Sequence, residues 1–250
     1  MGDGRLRFVG KTVLVTGGSG GIGFHIAKHF LEEGAKVGAH YHDDRDGAER
    51  LLEMAGAGQV RLFQADFTHS EQVLGLWDEF IAWTGTIDVL VNNAGSTIKP
   101  APLDELTEES WDSAFQVNAK APFLLSRAAM RVMKEKSFGR IINISSIGVK
   151  FGGGPTTLAY SASKAALEAV NRSLAKEGAS HNVLVNAIRA GVTDTKFHER
   201  LGRTDLVKRT QLIPLKRLAM PQEIAGVVLF LASDASSFIT GSTIPVAGGE

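Results

Sequence analysis

Tyr160 and Lys164 stand four residues apart in the stretch LAYSASKAALEAV (158–170). On a helix, side chains at that spacing leave the same face one turn apart. A cation close to a phenol favours the phenolate, so we expect Lys164 to lower the pKa of Tyr160 from its ordinary value of about 10. A tyrosine adjusted in this way can give and take a proton during catalysis. Such a pair also arises by chance, so the rest of the chain must decide whether this one is catalytic.

The composition restricts the possible partners. Lys+Arg and Asp+Glu are equal at 27 each among 250 residues, so no net field draws the chain to nucleic acid or an anionic membrane. No segment approaches the roughly 20 apolar residues that span a bilayer. The start, MGDGRLRFVGKTVLVTGG, lacks the uninterrupted apolar region of a signal peptide. We therefore predict a cytoplasmic protein with neither a nucleic-acid partner nor a membrane partner.

Short apolar runs alternate with longer amphipathic stretches along the whole chain. The runs rich in β-branched residues predict strands over 11–16, 36–41, 60–65, 87–92, 140–145, 183–188 and 242–246. The stretches with helical spacing are 22–33, 46–55, 70–83, 108–135, 160–179 and 221–233. This alternation predicts an α/β protein with a three-layer, doubly wound parallel sheet, in a single domain over residues 1–250. Two long irregular stretches, 146–159 and 193–216, are candidates for functional loops.

The first predicted strand runs directly into TGGSGGIG (Thr16–Gly23), which opens the first predicted helix. Glycines allow a tight turn and a close approach to a pyrophosphate, and the free N–H groups at the start of a helix face the anion. A strand–helix junction can also need glycine only to turn. The position of this turn in an alternating chain favours a dinucleotide site.

The motifs taken together resemble the short-chain dehydrogenase/reductase family. TGGSGGIG is similar to that family's TGxxxGxG turn, and it is followed by NNAG (92–95), a serine pair (145–146), YSASK (160–164) and VNAIRAG (185–191). These motifs come in the family's order and spacing over essentially the whole chain. The resemblance implies a seven-stranded Rossmann fold and hydride transfer between a nicotinamide cofactor and a carbonyl or secondary alcohol.

The resemblance also assigns roles to four residues. Tyr160 resembles the catalytic acid/base, and Lys164 would lower its pKa and bind the nicotinamide ribose. Ser146 would hold the substrate oxygen, although Ser145 beside it is an alternative. Asn118 would support a water molecule in the proton relay.

The implied cofactor contacts come from the loops after the strands. Asp66 resembles the acid that binds the adenine amine, but it could equally serve only to turn the loop. The predicted cofactor-binding set is Gly17, Ser19, Gly21, Ile22, Gly23, His42, Asp66, Phe67, Asn93, Gly95, Tyr160, Lys164, Thr193 and Thr195. The seven histidines show no metal-binding spacing, so we predict no metal site.

Several positions depart from the family's pattern. Ala190 replaces the usual proline, and Ala247 replaces the usual aspartate near the end of the chain. Tyr41 stands where NAD-dependent relatives carry an acid, and Gly20 stands where a basic residue would bind the 2′-phosphate of NADP. His42, helped by Arg45, could bind that phosphate, whereas Asp43 and Asp44 would repel it. On this balance we predict that NADP is favoured over NAD.

The resemblance implies a small carbonyl or alcohol compound as the substrate, and the layout is similar to that of 3-oxoacyl-carrier-protein reductases. Ser137 and His181 occupy the places where that resemblance implies basic docking residues, which weakens the carrier-protein assignment. Expected pocket residues are Thr97, Ile98, Lys99, Phe151, the loop GGGPTT (152–157), Phe197 and His198. The basic residues Lys196, Arg200, Arg203, Lys208 and Arg209 either favour an acidic substrate or form a solvated helix face.

Two other functions are open at this point. One is a cofactor-binding sensor or scaffold with little turnover, against which the intact Ser146, Tyr160 and Lys164 count. The other is a sugar-nucleotide epimerase or dehydratase, which usually carries an additional substrate lobe for which this chain has no room. The long helices over 108–135 and 160–179 resemble those that form the family's subunit contacts, so we predict a homotetramer or a homodimer.

Overall fold

The computed structural model describes residues 6–197 and 206–250, which form one parallel sheet with helices on both faces. In chain order the strands are β1 (Thr12–Val15), β2 (Lys36–Tyr41), β3 (Val60–Gln64), β4 (Val89–Asn92), β5 (Gly139–Ser146), β6 (Val183–Ala190) and β7 (Thr243–Val246). Their order across the sheet is β3-β2-β1-β4-β5-β6-β7, and all neighbours are parallel. The predicted seven-stranded, doubly wound sheet is confirmed.

The helices follow the predicted pattern with three differences. They are α1 (Gly21–Glu32), α2 (Arg45–Met54), α3 (Ser70–Thr84), α4 (Glu108–Phe115), α5 (Ala121–Glu135), α6 (Gly148–Phe151), α7 (Leu158–Gly178), α8 (Val207–Leu212) and α9 (Pro221–Ala232). The predicted continuous helix over 108–135 is divided by a π-helical turn, Gln116–Lys120. The two stretches predicted to be irregular contain α6 and α8, which are too short to give a periodic signal.

The sheet buries one apolar cluster on each face, which is why its strands carry apolar residues without alternation. On one face, Phe30, Ile26 and Val228 pack with α1 against α9. On the other face, Phe80 and Leu125 belong to the cluster under α3 and α5. Both clusters meet the central strands β1 and β4.

β1 and β4 are neighbours although β2 and β3 separate them in the chain, so the strand order reverses between them. In doubly wound sheets, ligands bind outside the carboxyl ends of the strands at this reversal. The glycine turn follows β1 and the NNAG segment ends β4, so the fold brings both motifs to that point. No helix within the two described ranges is long and apolar enough to cross a membrane.

Candidate active site

A cleft of about 2000 Å³ lies at the carboxyl ends of the strands. It is larger than the roughly 300–1,000 Å³ typical of small-ligand pockets, as a site for a dinucleotide together with a substrate would need to be. All the residues predicted to bind the cofactor line it, as do Ser146, Tyr160 and Lys164. Asn118 is fully buried behind the wall and does not line the cleft.

The glycine turn is fixed by the segment that follows β4. The Thr16 hydroxyl accepts hydrogen bonds from the N–H groups of Asn93 and Ala94, both at 3.0 Å. The Asn93 side-chain amide donates to the carbonyl oxygens of Thr16 at 2.9 Å and Gly17 at 3.1 Å. Asn93 therefore holds the turn in shape as well as lining the cleft.

The turn leaves the start of α1 open towards the cleft. A Cβ atom at Gly23 would lie 2.0 Å from the Gly17 carbonyl oxygen, so only glycine allows this close crossing. Gly21 has a φ of +50°, and a Cβ there would meet Thr195 at 3.1 Å. The N-cap residue of α1, Gly20, offers no side-chain hydrogen bond to the helix, and the first turn carries no acid. These features fit a pyrophosphate bound at the N-terminus of α1.

Asp66 and His42 lie together at the far end of the cleft from Tyr160. One oxygen of the Asp66 carboxylate accepts the Thr68 N–H at 2.9 Å, and the other lies 3.8 Å from His42 Nε2 and 3.3 Å from His69 Nδ1. Burial opposes the charge of this carboxyl, but the hydrogen bonds from Thr68 and the two histidines outweigh it and lower the pKa of Asp66. Asp66 thus turns the loop and also lines the cleft.

Tyr41 is buried and is not part of the cleft wall. The residues on either side of it, His40 and His42, do line the cleft. Arg45, predicted to help bind a phosphate, forms an ion pair with Glu49 at 2.8 Å and does not line the cleft. The structure therefore does not place Arg45 on the cleft wall, and its contact with a phosphate stays a prediction.

The catalytic hydroxyls meet where β5 ends and α7 begins. The Ser146 hydroxyl lies near enough to the Tyr160 phenol to lower its pKa, and Ser146 Oγ accepts the Gly148 N–H at 3.1 Å. The Ser145 hydroxyl instead donates to the buried carboxylate of Glu168 at 2.7 Å. Because Ser145 is engaged with α7, Ser146 is the serine of the pair that can meet a substrate at Tyr160.

Burial controls the protonation of both members of the tyrosine–lysine pair. Burial raises the pKa of Tyr160, and the neighbouring Ser146 hydroxyl opposes that rise only in part. Burial lowers the pKa of Lys164 from 10.5 to about 8. The Lys164 ammonium donates to the Ile144 carbonyl at 2.8 Å and lies 5.9 Å from the Tyr160 ring centroid. The prediction that Lys164 lowers the pKa of Tyr160 is wrong, and the phenol is protonated at neutral pH.

Asn118 and Gly95 shape the wall behind Lys164. The Asn118 amide donates to the Ser96 carbonyl at 2.8 Å and to Ser163 Oγ at 3.1 Å, and its oxygen accepts the Ser96 N–H at 3.0 Å. A Cβ at Gly95 would lie 2.8 Å from Lys164 Nζ, so glycine gives the ammonium its room. The Asn118 amide is thus committed to structure. A water molecule would have to bind its main-chain carbonyl, which has no ordinary helical donor because Pro122, four residues on, lacks an N–H.

The loops at the substrate end include most of the residues expected there. Thr97, Ile98, Phe151 and Phe197 line the cleft, and the Phe197 ring lies 5.8 Å from the Tyr160 ring. Lys196, Lys208 and Arg209 also line the cleft, and Arg209 forms an ion pair with Glu250. Lys99 is not among the residues that line the cleft. His198, Arg200 and Arg203 lie outside the described residues.

The two alanines that depart from the family's pattern lie on neighbouring chain segments at the ends of β6 and β7. Ala190 is the last residue of β6, paired in register with Ser146 and with Val246. A Cβ atom on Gly191 would lie 2.6 Å from the Cα of Ala247, so the two chain segments touch at this point. The sheet thus holds the main chain where the family usually carries a proline.

The sequence analysis missed three polar residues that the structure brings to this region. His40 lines the cleft at the end of β2, and its presence in an otherwise apolar strand is a signal that could have revealed it. Arg50 packs over the Phe24 ring at 4.2 Å and donates to the Ser19 carbonyl at 3.3 Å, beside the glycine turn. Glu168 binds Arg189 through two hydrogen bonds of 2.8 and 2.7 Å behind Ser145.

Comparison with known proteins identifies the family. A family model described as enoyl-(acyl carrier protein) reductase matches residues 17–250. The chain belongs to the short-chain dehydrogenase/reductase family. It is 42% identical over 246 residues to the 3-oxoacyl-[acyl-carrier-protein] reductase FabG of Chlamydia trachomatis serovar D, which covers 96% of this chain and 97% of that protein. The resemblance drawn from the motifs is confirmed.

Solved structures agree with this assignment. A short chain dehydrogenase/reductase family protein superimposes with a TM-score of 0.86 at 36% identity, covering 97% of this chain and 98% of that one. A blue fluorescent protein from a metagenomic library, in complex with NADPH, superimposes with a TM-score of 0.90 at 31% identity over the same shares. The chain is therefore an NAD(P)-dependent oxidoreductase that acts on a carbonyl substrate.

Within the described ranges, no group of three or more His, Cys, Asp or Glu side chains is placed to hold a metal ion. The polar groups that converge on the cleft near Tyr160 are hydroxyls, an ammonium and main-chain N–H groups. Such groups can move a proton and stabilise charge on an oxygen atom.

Proposed function

We propose that the protein reduces a ketone to a secondary alcohol, with Tyr160 as the proton donor. The observation that carries this proposal is that Ser146, Tyr160 and Lys164 line one cleft together, with the Ser146 hydroxyl near enough to the Tyr160 phenol to lower its pKa. A raised tyrosine pKa keeps the phenol protonated at neutral pH, as the reducing direction requires. Bound nicotinamide would supply the hydride.

The residues of the cleft divide the remaining work. Ser146 and Tyr160 are placed to hydrogen-bond a carbonyl oxygen and so stabilise the negative charge that grows there. Tyr160 then donates its proton to that oxygen. The Lys164 ammonium lies close enough to the cleft wall to bind a ribose hydroxyl, and Gly17, Gly21 and Gly23 shape the turn for the pyrophosphate. Asn118 acts through Ser96 and Ser163 as a positioning residue.

We propose a 3-oxoacyl thioester as the substrate, and a coenzyme A ester rather than a carrier-protein ester. The relative described above is named as a 3-oxoacyl-[acyl-carrier-protein] reductase, which supports the 3-oxoacyl group. Ile98, Phe151 and Phe197 offer apolar surface for a short acyl chain, and Lys196 and Lys208 offer charge for phosphates. Neither Ser137 nor His181 gives the permanent positive charge that would favour an acidic carrier protein.

Oxidation of NADPH and NADH, followed at 340 nm with acetoacetyl-CoA, tests this substrate class. We expect turnover of the thioester and weaker activity with a simple ketone such as 2-butanone, which lacks the phosphates. Activity on simple ketones with none on acetoacetyl-CoA would contradict the thioester proposal. Tight cofactor binding with no turnover on any ketone or alcohol would favour the alternative of a cofactor-binding sensor or scaffold.

We propose a modest preference for NADP over NAD. Two basic side chains, His42 and Arg50, lie on the cleft wall near the glycine turn, and the position of the usual NAD-binding acid holds the buried Tyr41. Three carboxylates, those of Asp43, Asp44 and Asp46, line the same wall and oppose a 2′-phosphate, so the preference should be small.

Steady-state kinetics with both cofactors test this preference. We expect His42→Ala and Arg50→Ala to lower kcat/KM for NADPH several-fold, by about the 1 kcal/mol of an exposed ionic contact, and to leave NADH unchanged. Arg45→Ala is the matched control, because Arg45 is paired with Glu49 outside the cleft. Equal losses with both cofactors would contradict the assignment.

We also propose one catalytic domain over residues 1–250 that assembles as a homotetramer or homodimer. The support is the exposed aromatic surface of α4 and α5, where Trp111 and Phe123 are each more than a third exposed. Light scattering at micromolar concentration tests it against the 26.7 kDa of one chain. A monomer would contradict it. The cytoplasmic location and the lack of a nucleic-acid partner stay predictions from the sequence.

A further inference from the structure

His40 connects the glycine turn to the opposite wall of the cleft. Its ring is 3% exposed, at the end of β2. Nδ1 lies 3.1 Å from the Gly17 N–H nitrogen, Nε2 lies 3.0 Å from the Ala65 carbonyl oxygen, and the His40 main-chain oxygen accepts the Gly18 N–H at 2.7 Å. One residue thus binds two successive N–H groups of the turn.

The partners determine the tautomer of this ring. A main-chain N–H can only donate, so Nδ1 must be the acceptor, and a carbonyl can only accept, so Nε2 must carry the proton. The ring is therefore neutral with its proton on Nε2. Burial supports this state, since it lowers the pKa of His40 from 6.5 to about 4, against the smaller opposing effect of the Ala65 carbonyl.

The same ring supports the wall predicted to face adenine. Phe67 stacks on His40 with ring centroids 4.1 Å apart and planes at 2°. Ala65 and Phe67 flank Asp66, and all three line the cleft. Movement of the His40 ring would displace both the turn that approaches the pyrophosphate and the segment from Ala65 to Phe67.

We propose that His40 is a positioning residue for the dinucleotide: it sets the glycine turn and the segment 65–67 at the separation that the cofactor needs. Its hydrogen-bond and stacking partners are Gly17, Gly18, Ala65 and Phe67, and neither Tyr160 nor Lys164 is among them, so its effect is expected on cofactor binding and not on the chemical step. The proposal rests on the use of a nicotinamide cofactor and not on the choice between NADP and NAD or on the substrate.

Two near-isosteric substitutions separate the two hydrogen bonds of the ring. In His40→Asn, the amide oxygen can take the place of Nδ1 and accept the Gly17 N–H. In His40→Gln, the amide nitrogen can take the place of Nε2 and donate to Ala65, while Gly17 loses its acceptor. His181→Asn and His181→Gln are matched controls, since His181 is outside the cleft and partly exposed.

The experiment measures the Kd of NADPH and of NADH by fluorescence, together with kcat and the cofactor KM, in each variant. An unsatisfied N–H in the turn predicts that His40→Gln raises Kd and KM for both cofactors by roughly tenfold or more, whereas His40→Asn stays within about threefold of the wild type. Values of kcat at saturating cofactor should stay within about twofold, and the His181 variants should match the wild type.

Thermal unfolding of the same variants shows whether a change in cofactor affinity comes with a loss of stability, as a packing defect would cause, or without one, as a positioning role would. Equal cofactor affinities in His40→Asn and His40→Gln would overturn the proposal, whether both equal the wild type or both fall together. A fall in kcat without a change in cofactor Kd would overturn it as well. Because Kd is measured without turnover, failure of the proposed ketone reduction would leave this result interpretable.

Discussion

Replacement of Lys164 by methionine should abolish activity and yet stabilise the protein at neutral pH. Burial lowers the pKa of Lys164 from 10.5 to about 8. That difference of about 2.5 pH units, at 1.36 kcal/mol each, means that holding the charge in the folded state costs about 3 kcal/mol at pH 7. The hydrogen bond to the Ile144 carbonyl offsets about 2 kcal/mol of this cost, so Lys164→Met should have a free energy of unfolding about 1 kcal/mol higher than the wild type.

The pH dependence of the stability difference between Lys164→Met and the wild type is the sharper observable. Between pH 8 and 10.5 the unfolded chain holds the lysine proton and the folded chain does not, so the wild type becomes more stable as the pH rises. Lys164→Met has no proton to lose at this position, so its stability does not rise in this way with pH. Its free energy of unfolding relative to the wild type should therefore fall by about 3 kcal/mol between pH 7.5 and pH 10.5.

Urea denaturation at pH 7.5, 9 and 10.5 measures this difference, and effects common to both proteins cancel. Lys176→Met is the control, because Lys176 lies exposed on the same helix, α7. A difference between Lys164→Met and the wild type that does not change with pH would refute the reasoning that burial sets the ionisation of this lysine. A loss of stability of several kcal/mol at pH 7.5 would refute the magnitude.

Two further predictions concern buried polar groups. In acid, His40 takes up a proton near pH 6.5 in the unfolded chain but only near pH 4 in the folded chain. Between pH 7.5 and pH 4 the free energy of unfolding of the wild type should therefore fall by about 3 kcal/mol more than that of His40→Asn. Urea denaturation of both proteins at the two pH values measures this difference. A parallel pH dependence of the two proteins would contradict this. Glu168→Gln should lower the free energy of unfolding by about 2 kcal/mol, because it removes the charge that Arg189 and Ser145 bind. The control, Glu177→Gln on the exposed side of α7, should change the free energy of unfolding by less than about 0.5 kcal/mol in the same urea titration. Equal effects of the two glutamate substitutions would contradict the second.

The fold was predictable because its signals are repeated along the chain. Each strand is an apolar run that ends in a polar loop, and each core helix has enough turns to show its period. The π-helical turn at Gln116–Lys120 was not predictable from apolar spacing, because one extra residue in a turn barely changes that spacing. The Pro122 that follows Asn118 is the local clue to it.

The candidate site was predictable where a motif fixes one side chain, and not where the answer depends on surroundings. Ser146 and Ser145 are adjacent and chemically identical, and only the position of the Glu168 carboxylate shows which hydroxyl is free for substrate. The pKa of Tyr160 was predicted in the wrong direction because the spacing shows a neighbouring lysine but not the burial of both groups. His40 was missed because its partners, Gly17 and Ala65, are distant in the chain.

The measurement that tests the central claim most directly is turnover by Tyr160→Phe compared with its affinity for cofactor. The substitution removes the hydroxyl that lies beside Ser146 and keeps the ring against Phe197. Ketone reduction followed at 340 nm should fall by at least about 100-fold, as loss of a general acid does, while the Kd of NADPH stays within about threefold of the wild type. Turnover within about tenfold of the wild type would contradict the account that Tyr160 donates the proton.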